Sequence, residues 1–224
     1  MQVFIVGSGK LASELLEHLS LAPPFEIHRW QGAPAIRERA IVVHAGSGRE
    51  LDEAVAFCER SGSALVELST GSALEARPPA CPVVLCPNTN ILMLKFMAML
   101  DRAGPLFAGS RISITESHQA GKTSTAGTAV AMAASLGLGA GDVVSVRDPA
   151  EQQGALGIPP EHLPRHAVHV ISIDDGACSI AMETRVYGAS PYADGVARIV
   201  SAVHAHPLAN GVHSIAEFIE RGWI

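Results

Sequence analysis

Val3 to Val6 is an unbroken apolar run that stops at Gly7, and the chain then reads SGKLASELLEHLSL, with leucines at Leu11, Leu15, Leu16 and Leu19. The first segment predicts a buried strand and the second an amphipathic helix. The turn between them is Gly-x-Gly-x-x-Ala: Gly7, Gly9, Ala12. Glycine at the first place permits a tight turn, and glycine at the second lets backbone come close to a ligand. Alanine at the third lets the helix pack near the strand. An ordinary strand-to-helix turn could read the same way, so the context further along the chain matters.

That context repeats the alternation. PFEIHRW, RAIVVHAG, ALVELSTG and CPVVLCP read as further short strands, and ELDEAVAFCERSG as a helix between two of them. Strands alternating with helices predict a mostly parallel, doubly wound sheet over roughly residues 1 to 88. In such a sheet the glycine turn would hold a pyrophosphate against helix N-terminal amides, with Gly7, Ser8, Gly9, Lys10 and Leu11 around it. The second strand ends near Arg29. A guanidinium there suits a 2′-phosphate and so NADPH; a solvated surface arginine is the alternative.

The second half changes character. SRISITESHQ, DVVSVRD, HAVHVISID and CSIAMETRVYG read as strands, TAGTAVAMAASLG as a helix, and DDG as a hairpin turn. Cys178, Ile180 and Met182 alternate with Ser179, Ala181 and Glu183, the period of a half-buried strand. This predicts an α+β unit, an open mixed sheet with one helix on one face, whose other face needs a cover that a second copy of the chain would supply. DPAEQQGALGIPPEHLPRH reads as a long proline-rich loop. YADGVARIVSAVHAH and SIAEFIERG close the chain as helices. The expected organisation is a Rossmann-type α/β domain from residues 1–89 and 192–224 and a substrate and oligomerisation domain from 90–191.

Composition narrows the class. Apolar residues make up 48% of the 224 and charged ones 17%, so the chain is a globular one. A net charge of -6 without a basic cluster argues against nucleic acid. No stretch reaches the ~18 apolar residues of a membrane span, and the N-terminal run is too short for a signal peptide. Cys58, Cys81, Cys86 and Cys178 have no metal-finger spacing and read as free thiols in a cytoplasmic protein; no metal is expected.

The densest chemistry is ESHQAGKTSTAGTA, from Glu116 to Ala129. It resembles the central motif of the dihydrodipicolinate (4-hydroxy-tetrahydrodipicolinate) reductase family, E-x-H-H-x-x-K-x-D-x-P-S-G-T-A. Glu116, His118, Lys122, Gly127, Thr128 and Ala129 match. The family's G-T-T-G loop is similar to LSTG here, its A-P-N-x-S segment to CPNTN, and its F-A-x-G-A segment to YADGV. The resemblance runs over nearly the whole chain.

It implies an NAD(P)H-dependent reduction in lysine and diaminopimelate biosynthesis. 4-Hydroxy-tetrahydrodipicolinate, a small dicarboxylate, would become tetrahydrodipicolinate in a homo-oligomer, a tetramer or dimer. His118 would be the proton donor and Lys122 the carboxylate ligand, with Glu116 orienting His118 or the loop. Gln119, Gly127 and Thr128 would bind substrate; Ser69, Thr70, Pro87 and Asn88 would join the cofactor set. There are departures. Gln119 replaces a histidine, Ala126 a serine, Ala189 a substrate-binding arginine and Leu68 a glycine, and the segment between Lys122 and Gly127 is shorter and lacks the Asp and Pro. Arg185 is a candidate replacement for the lost arginine. Two further readings therefore stand beside the first: a reductase of the same fold for a different anionic imine or enamine, and a non-catalytic NAD(P)-binding homologue.

Overall fold

The computed structural model describes residues 1–35, 38–77, 79–188 and 192–224. The chain divides into two compact units, Met1–Leu94 with Tyr192–Ile224, and Lys95–Pro191.

The first unit is built on a six-stranded sheet. Its strands are β1 (Gln2–Val6), β2 (Glu26–Arg29), β3 (Ile41–His44), β4 (Ala64–Glu67), β5 (Pro82–Leu85) and β10 (Gly211–Ser214). They lie in the order β10-β5-β4-β3-β1-β2, all parallel. Successive residues of β1 enter opposite cores, which is why the strand is apolar throughout rather than alternating. Val3 and Ile5 meet Leu15 of α1 (Lys10–His18), Ile199 of α6 (Ala193–Ala205) and Phe218 of α7 (Ile215–Glu220). Phe4 and Val6 belong instead to the core of Trp30, Leu65 and Phe57, the last from α2 (Leu51–Ser61). Helices thus cover both faces, the doubly wound arrangement that the alternation predicts.

The one strand of this sheet that the pattern does not predict is β10. Its four residues carry one apolar side chain, Val212, between Gly211 and His213, too little for a periodicity to register. It extends the sheet by pairing Val212 with Val83.

The second unit holds a four-stranded sheet of β6 (Arg111–His118), β7 (Val143–Val146), β8 (Ala167–Asp174) and β9 (Ser179–Val186), in the order β7-β6-β8-β9. β6 and β7 are parallel and the other pairs antiparallel. Ile114 and Ile171 lie side by side in register and are buried with Met132 and Ala133 of α4 (Gly127–Ser135). The opposite face is open: Ser113, Val144, Ala181 and Glu183 are exposed. β9 is more exposed than a half-buried strand. Cys178 precedes it in the turn and Ile180 is 41% exposed, because β9 is the sheet edge.

The proline-rich segment is not a plain loop. It contains α5 (Pro149–Gly154), whose N-cap Asp148 accepts hydrogen bonds from the amides of Ala150 and Glu151. Proline at the first helical position after an aspartate cap is a helix-start signal. α3 (Ile91–Ala103) is the remaining helix, and the division between units falls inside it. Among the described residues no helix is long and apolar enough to cross a membrane.

Candidate functional site

In the first unit the chain leaves β1 for β2 on one side, and then crosses to β3 on the other. The gap between the carboxyl ends of β1 and β3 is therefore a topological switch point, where open α/β sheets bind ligands. The glycine turn stands there. Gly7 has φ 123°, and a Cβ on it would lie 2.7 Å from the Ala45 carbonyl oxygen, so only glycine lets the turn rest on the loop after β3. Gly9 differs, since a Cβ there meets nothing within 4 Å. It is the N-cap of α1, it has no side-chain cap, and the first turn carries no acid. The start of α1 is thus uncapped, with exposed Ser8 and Lys10 beside it and Leu11 half-buried behind it. An anion suits this end of the helix, and the residues present fit a pyrophosphate.

The other residues expected around the cofactor are placed as follows. Arg29 is exposed at the end of β2, in register with Ile5. Ser69 donates its amide to Glu67 Oε1 at 2.9 Å, Leu68 is buried, and Thr70 is exposed. Pro87 is exposed, and Asn88 Oδ1 accepts from the Asn90 amide at 2.9 Å. The YADG segment also gains a reason. A Cβ on Gly195 would stand 1.6 Å from the Thr89 carbonyl oxygen, so α6 can lie against this loop only with glycine there.

In the second unit a polar row crosses the sheet. Ser145, Glu116, His169 and Thr184 are in register on β7, β6, β8 and β9. Glu116 is fully buried and is the centre of the row. Its carboxylate accepts from Ser145 Oγ at 2.5 Å, from Arg147 Nη2 at 2.5 Å and from His118 Nδ1 at 2.7 Å. Burial pushes the Glu116 carboxyl up, but the bonds from His118, Arg147 and Ser145 outweigh it and bring the pKa down to about 2. An ionised Glu116 fixes the His118 proton on Nδ1 and leaves Nε2 as the atom that can exchange a proton with a ligand.

Arg147 does a second job. Its Nε donates to the Lys122 carbonyl at 2.9 Å and its Nη2 to the Ser124 carbonyl at 3.3 Å. The loop carrying Lys122 is therefore tied to the same carboxylate that orients His118. Gln119 is exposed, and its carbonyl closes the turn by accepting from the Lys122 amide at 2.9 Å. Lys122 Nζ lies 3.5 Å from Ser124 Oγ. Gly127 and Thr128 open α4, whose N-cap is Ala126. The helix has no side-chain cap and no acid in its first turn.

His169 stands edge-on to His118, with ring centroids 5.9 Å apart, and its Nδ1 meets Thr184 Oγ1 at 3.0 Å. Burial, with His118 nearby, pushes His169 down to about 4 against the opposing pull of Glu116. It is a neutral ring at neutral pH. From α5, buried Gln152 donates to the His118 carbonyl at 2.7 Å and to Ser117 Oγ at 3.1 Å, pinning the strand end from the other face.

Sequence reasoning does not single out Ser145, Arg147, Gln152 or His169. The S-V-R-D run at the end of β7 offers the polar alternation that could have marked Ser145 and Arg147. Arg185, the suggested replacement for a lost arginine, is in register with Val168 and so with Ser117, on the face opposite Glu116. Its guanidinium is held by Glu183, by Tyr187 Oη at 2.9 Å and by the Leu156 carbonyl at 2.8 Å. Ala189, where the resemblance places the family's arginine, lies outside the described residues.

No protein-family model matches the chain. A rice (Oryza sativa subsp. japonica) protein described as "Probable 4-hydroxy-tetrahydrodipicolinate reductase 2, chloroplastic" is 30% identical over 148 residues, 61% of this chain and 46% of that protein. The Arabidopsis thaliana "4-hydroxy-tetrahydrodipicolinate reductase 2, chloroplastic" is 32% identical over 123 residues, 50% of this chain and 35% of that one. The chain thus spans less than half the length of these relatives. Among solved structures, the dipicolinate-bound dihydrodipicolinate reductase of Paenisporosarcina sp. TG-14 superposes with a TM-score of 0.66 at 15% identity, covering 95% of this chain and 97% of that one. The DAP dehydrogenase of C. glutamicum, solved with DAP, gives 0.52 at 9% identity, covering 97% and 93%. The chain is a distant homologue, over roughly half its length, of 4-hydroxy-tetrahydrodipicolinate reductases, and it has the fold of a dihydrodipicolinate reductase.

Proposed function

We propose that the chain is an NAD(P)H-dependent reductase of 4-hydroxy-tetrahydrodipicolinate, forming tetrahydrodipicolinate and water on the route to diaminopimelate and lysine. The observation that carries this reading is the cluster on β6 and β7. One buried carboxylate, Glu116, orients His118 and, through Arg147, holds the Lys122 loop. A ring dicarboxylate that accepts hydride needs a proton at the reducing end of the reaction and cations or amides for its carboxylates. His118 Nε2 supplies the proton, and Lys122 with the uncapped start of α4 at Gly127 and Thr128 supplies the anion contacts. The turn from Gly7 to Leu11, with Ser69, Thr70, Pro87 and Asn88, holds the nicotinamide cofactor, which supplies the hydride when bound. Arg29 at the end of β2 favours NADPH.

The relatives named as reductases of this substrate, and the dipicolinate found in the Paenisporosarcina enzyme, support the dicarboxylate assignment. The open face of the four-stranded sheet would pair with a second copy, making the chain a homo-oligomer.

The test is cofactor oxidation followed by absorbance, with substrate made in situ. Turnover with NADPH, and slower turnover with NADH, is expected. No oxidation by protein that binds NADPH in calorimetry would overturn the substrate assignment.

One observation favours a second reading, in which the fold reduces a different anionic imine. Ala126 offers no hydroxyl at the start of α4, and Arg185 lies on the face away from His118. The carboxylate clamp is therefore thinner than the family motif implies. Faster oxidation of NADPH with other cyclic or linear imino acids than with 4-hydroxy-tetrahydrodipicolinate would select this reading.

A further inference from the structure

His44 and Glu67 end the neighbouring strands β3 and β4, directly opposite each other in register. Both are fully buried, and His44 Nδ1 lies 2.6 Å from Glu67 Oε2. The other ring nitrogen, Nε2, lies 2.7 Å from the Arg49 carbonyl oxygen. A carboxyl beside one nitrogen and a carbonyl beside the other favour a ring that holds both protons, an imidazolium set against Glu67 by charge. Consistently, the bonds to Glu67 and to the Arg49 carbonyl raise the His44 pKa in spite of burial.

Such a pair is a costly way to fill a core. Burying two charges loses several kcal/mol of hydration per ion, and apolar residues of like volume are often as stable or more so. What the pair does do is hold two loops. Through Nε2 it fixes Arg49, in the loop after β3. Through Oε1 of Glu67 it fixes the Ser69 amide, in the loop after β4. The loop after β3 wraps closely around the ring, since a Cβ on Gly46 would stand 2.7 Å from His44 Nε2 and 2.5 Å from the Arg49 oxygen. This loop is also strained. Among the described residues the non-glycine positions with positive φ are Ser47 at 52° and Glu50 at 62°, both within it, and such conformations persist only where the surroundings enforce them. The Gly7 turn rests on the same loop at Ala45.

We infer that His44 and Glu67 are a positioning pair for the dinucleotide, setting the loops after β3 and β4 beside the Gly7 turn so that they receive the cofactor. The inference rests on the NAD(P)H reading above. It separates affinity from stability, because the loops need the pair and the core does not.

The experiment compares wild type with the double variant His44→Leu, Glu67→Leu by calorimetric titration with NADPH and by thermal unfolding. The expected result is an unchanged or higher Tm with a Kd for NADPH raised about tenfold or more. A folded double variant that binds NADPH as wild type does overturns the positioning role alone. Failure of the wild type to bind either NADPH or NADH overturns it together with the reductase reading. Should the double variant not fold, nitrogen NMR of the wild-type His44 ring decides. Two protonated ring nitrogens at neutral pH, with resonances that move with those of Ser69 on adding NADPH, support the inference. Resonances unmoved at saturation overturn it.

Discussion

Arg147, one residue past the end of β7, grips Glu116 with two nitrogens, Nη2 to Oε1 at 2.5 Å and Nη1 to Oε2 at 3.2 Å. A forked pair of this kind fixes direction as well as charge. Taking the arginine away leaves a buried carboxylate with only His118 and Ser145 as donors. Arg147→Met should therefore lower stability by about 3 kcal/mol, the low end for breaking a buried pair because the guanidinium is partly exposed. Turnover should fall as well, since the Lys122 loop loses two of its anchors. Adding Glu116→Leu to Arg147→Met should restore much of the stability and none of the turnover. Chemical denaturation beside steady-state assays reads both effects; a single variant with wild-type values in each would show that the pair does neither job.

His118→Gln removes the exchangeable proton while keeping a side chain that can hydrogen-bond to Glu116. Turnover should drop by ~10²–10⁴-fold, the usual worth of a positioned acid. Binding of NADPH should not change, because the cofactor turn is built from other residues. Near-normal turnover would take His118 out of the chemistry.

Acid should unfold the second unit in two stages. His169 is neutral when folded, with its pKa moved from 6.5 to about 4. The unfolded chain binds the proton first as pH falls, so this contribution is complete above pH 6.5 and is lost between 6.5 and about 4. It amounts to about 3 kcal/mol. His166, also pushed down by burial, acts in the same direction. Glu116 is ionised when folded, with its pKa moved from 4.5 to about 2, so its contribution is present above pH 4.5 and fades between 4.5 and about 2. In the first unit His44 has the opposite sign: its raised pKa favours folding at low pH, and that share is lost as pH climbs through the folded value. Urea unfolding at a series of pH values tests this. His169→Leu should flatten the stage between pH 6.5 and 4, and a slope that survives the substitution would assign that stage to other groups.

Much of this was legible in the sequence because it is local. The run from Val3 to Gly7 and the leucine spacing after it specify a strand, a turn and a helix within one window. The Asp148-Pro149 start of α5 was equally local, though its surrounding prolines read as loop. The pairings were not legible. Glu116 meets Arg147 and His169 only because β6 lies between β7 and β8 in one particular register, and a period of two residues gives the face of a strand without naming its neighbour. The same holds for His44 and Glu67, each of which ends an apolar run as if exposed. β10 has too few apolar residues for any pattern and exists because β5 offers it an edge.

Arg29 is exposed at the end of β2, where a ribose phosphate would be read. Arg29→Ala should weaken NADPH by about 1.5–3 kcal/mol, the worth of a hydrogen bond to a charged group, and leave NADH nearly untouched. Calorimetry with each cofactor measures the difference, and equal losses would mean that Arg29 does not discriminate between them.

Gly9 and Gly195 should fail in opposite ways. A Cβ at Gly9 meets nothing within 4 Å, so Gly9→Asp should fold with a Tm near that of the wild type. It would place a carboxylate at the N-terminus of α1, where the pyrophosphate is expected, and NADPH binding should be lost. A side chain at Gly195 would stand 1.6 Å from the Thr89 carbonyl oxygen, a backbone atom that cannot swing aside. Gly195→Ala must push α6 off its loop, and overpacking of that kind costs about 1–3 kcal/mol or more. It should lower Tm markedly, and whatever protein remains folded should bind NADPH less well only so far as Asn88, beside Thr89, moves with the loop. Thermal unfolding and NADPH titration of both variants separate the two glycines. A Gly9→Asp protein that still binds NADPH tightly would place the pyrophosphate elsewhere than on the turn after β1.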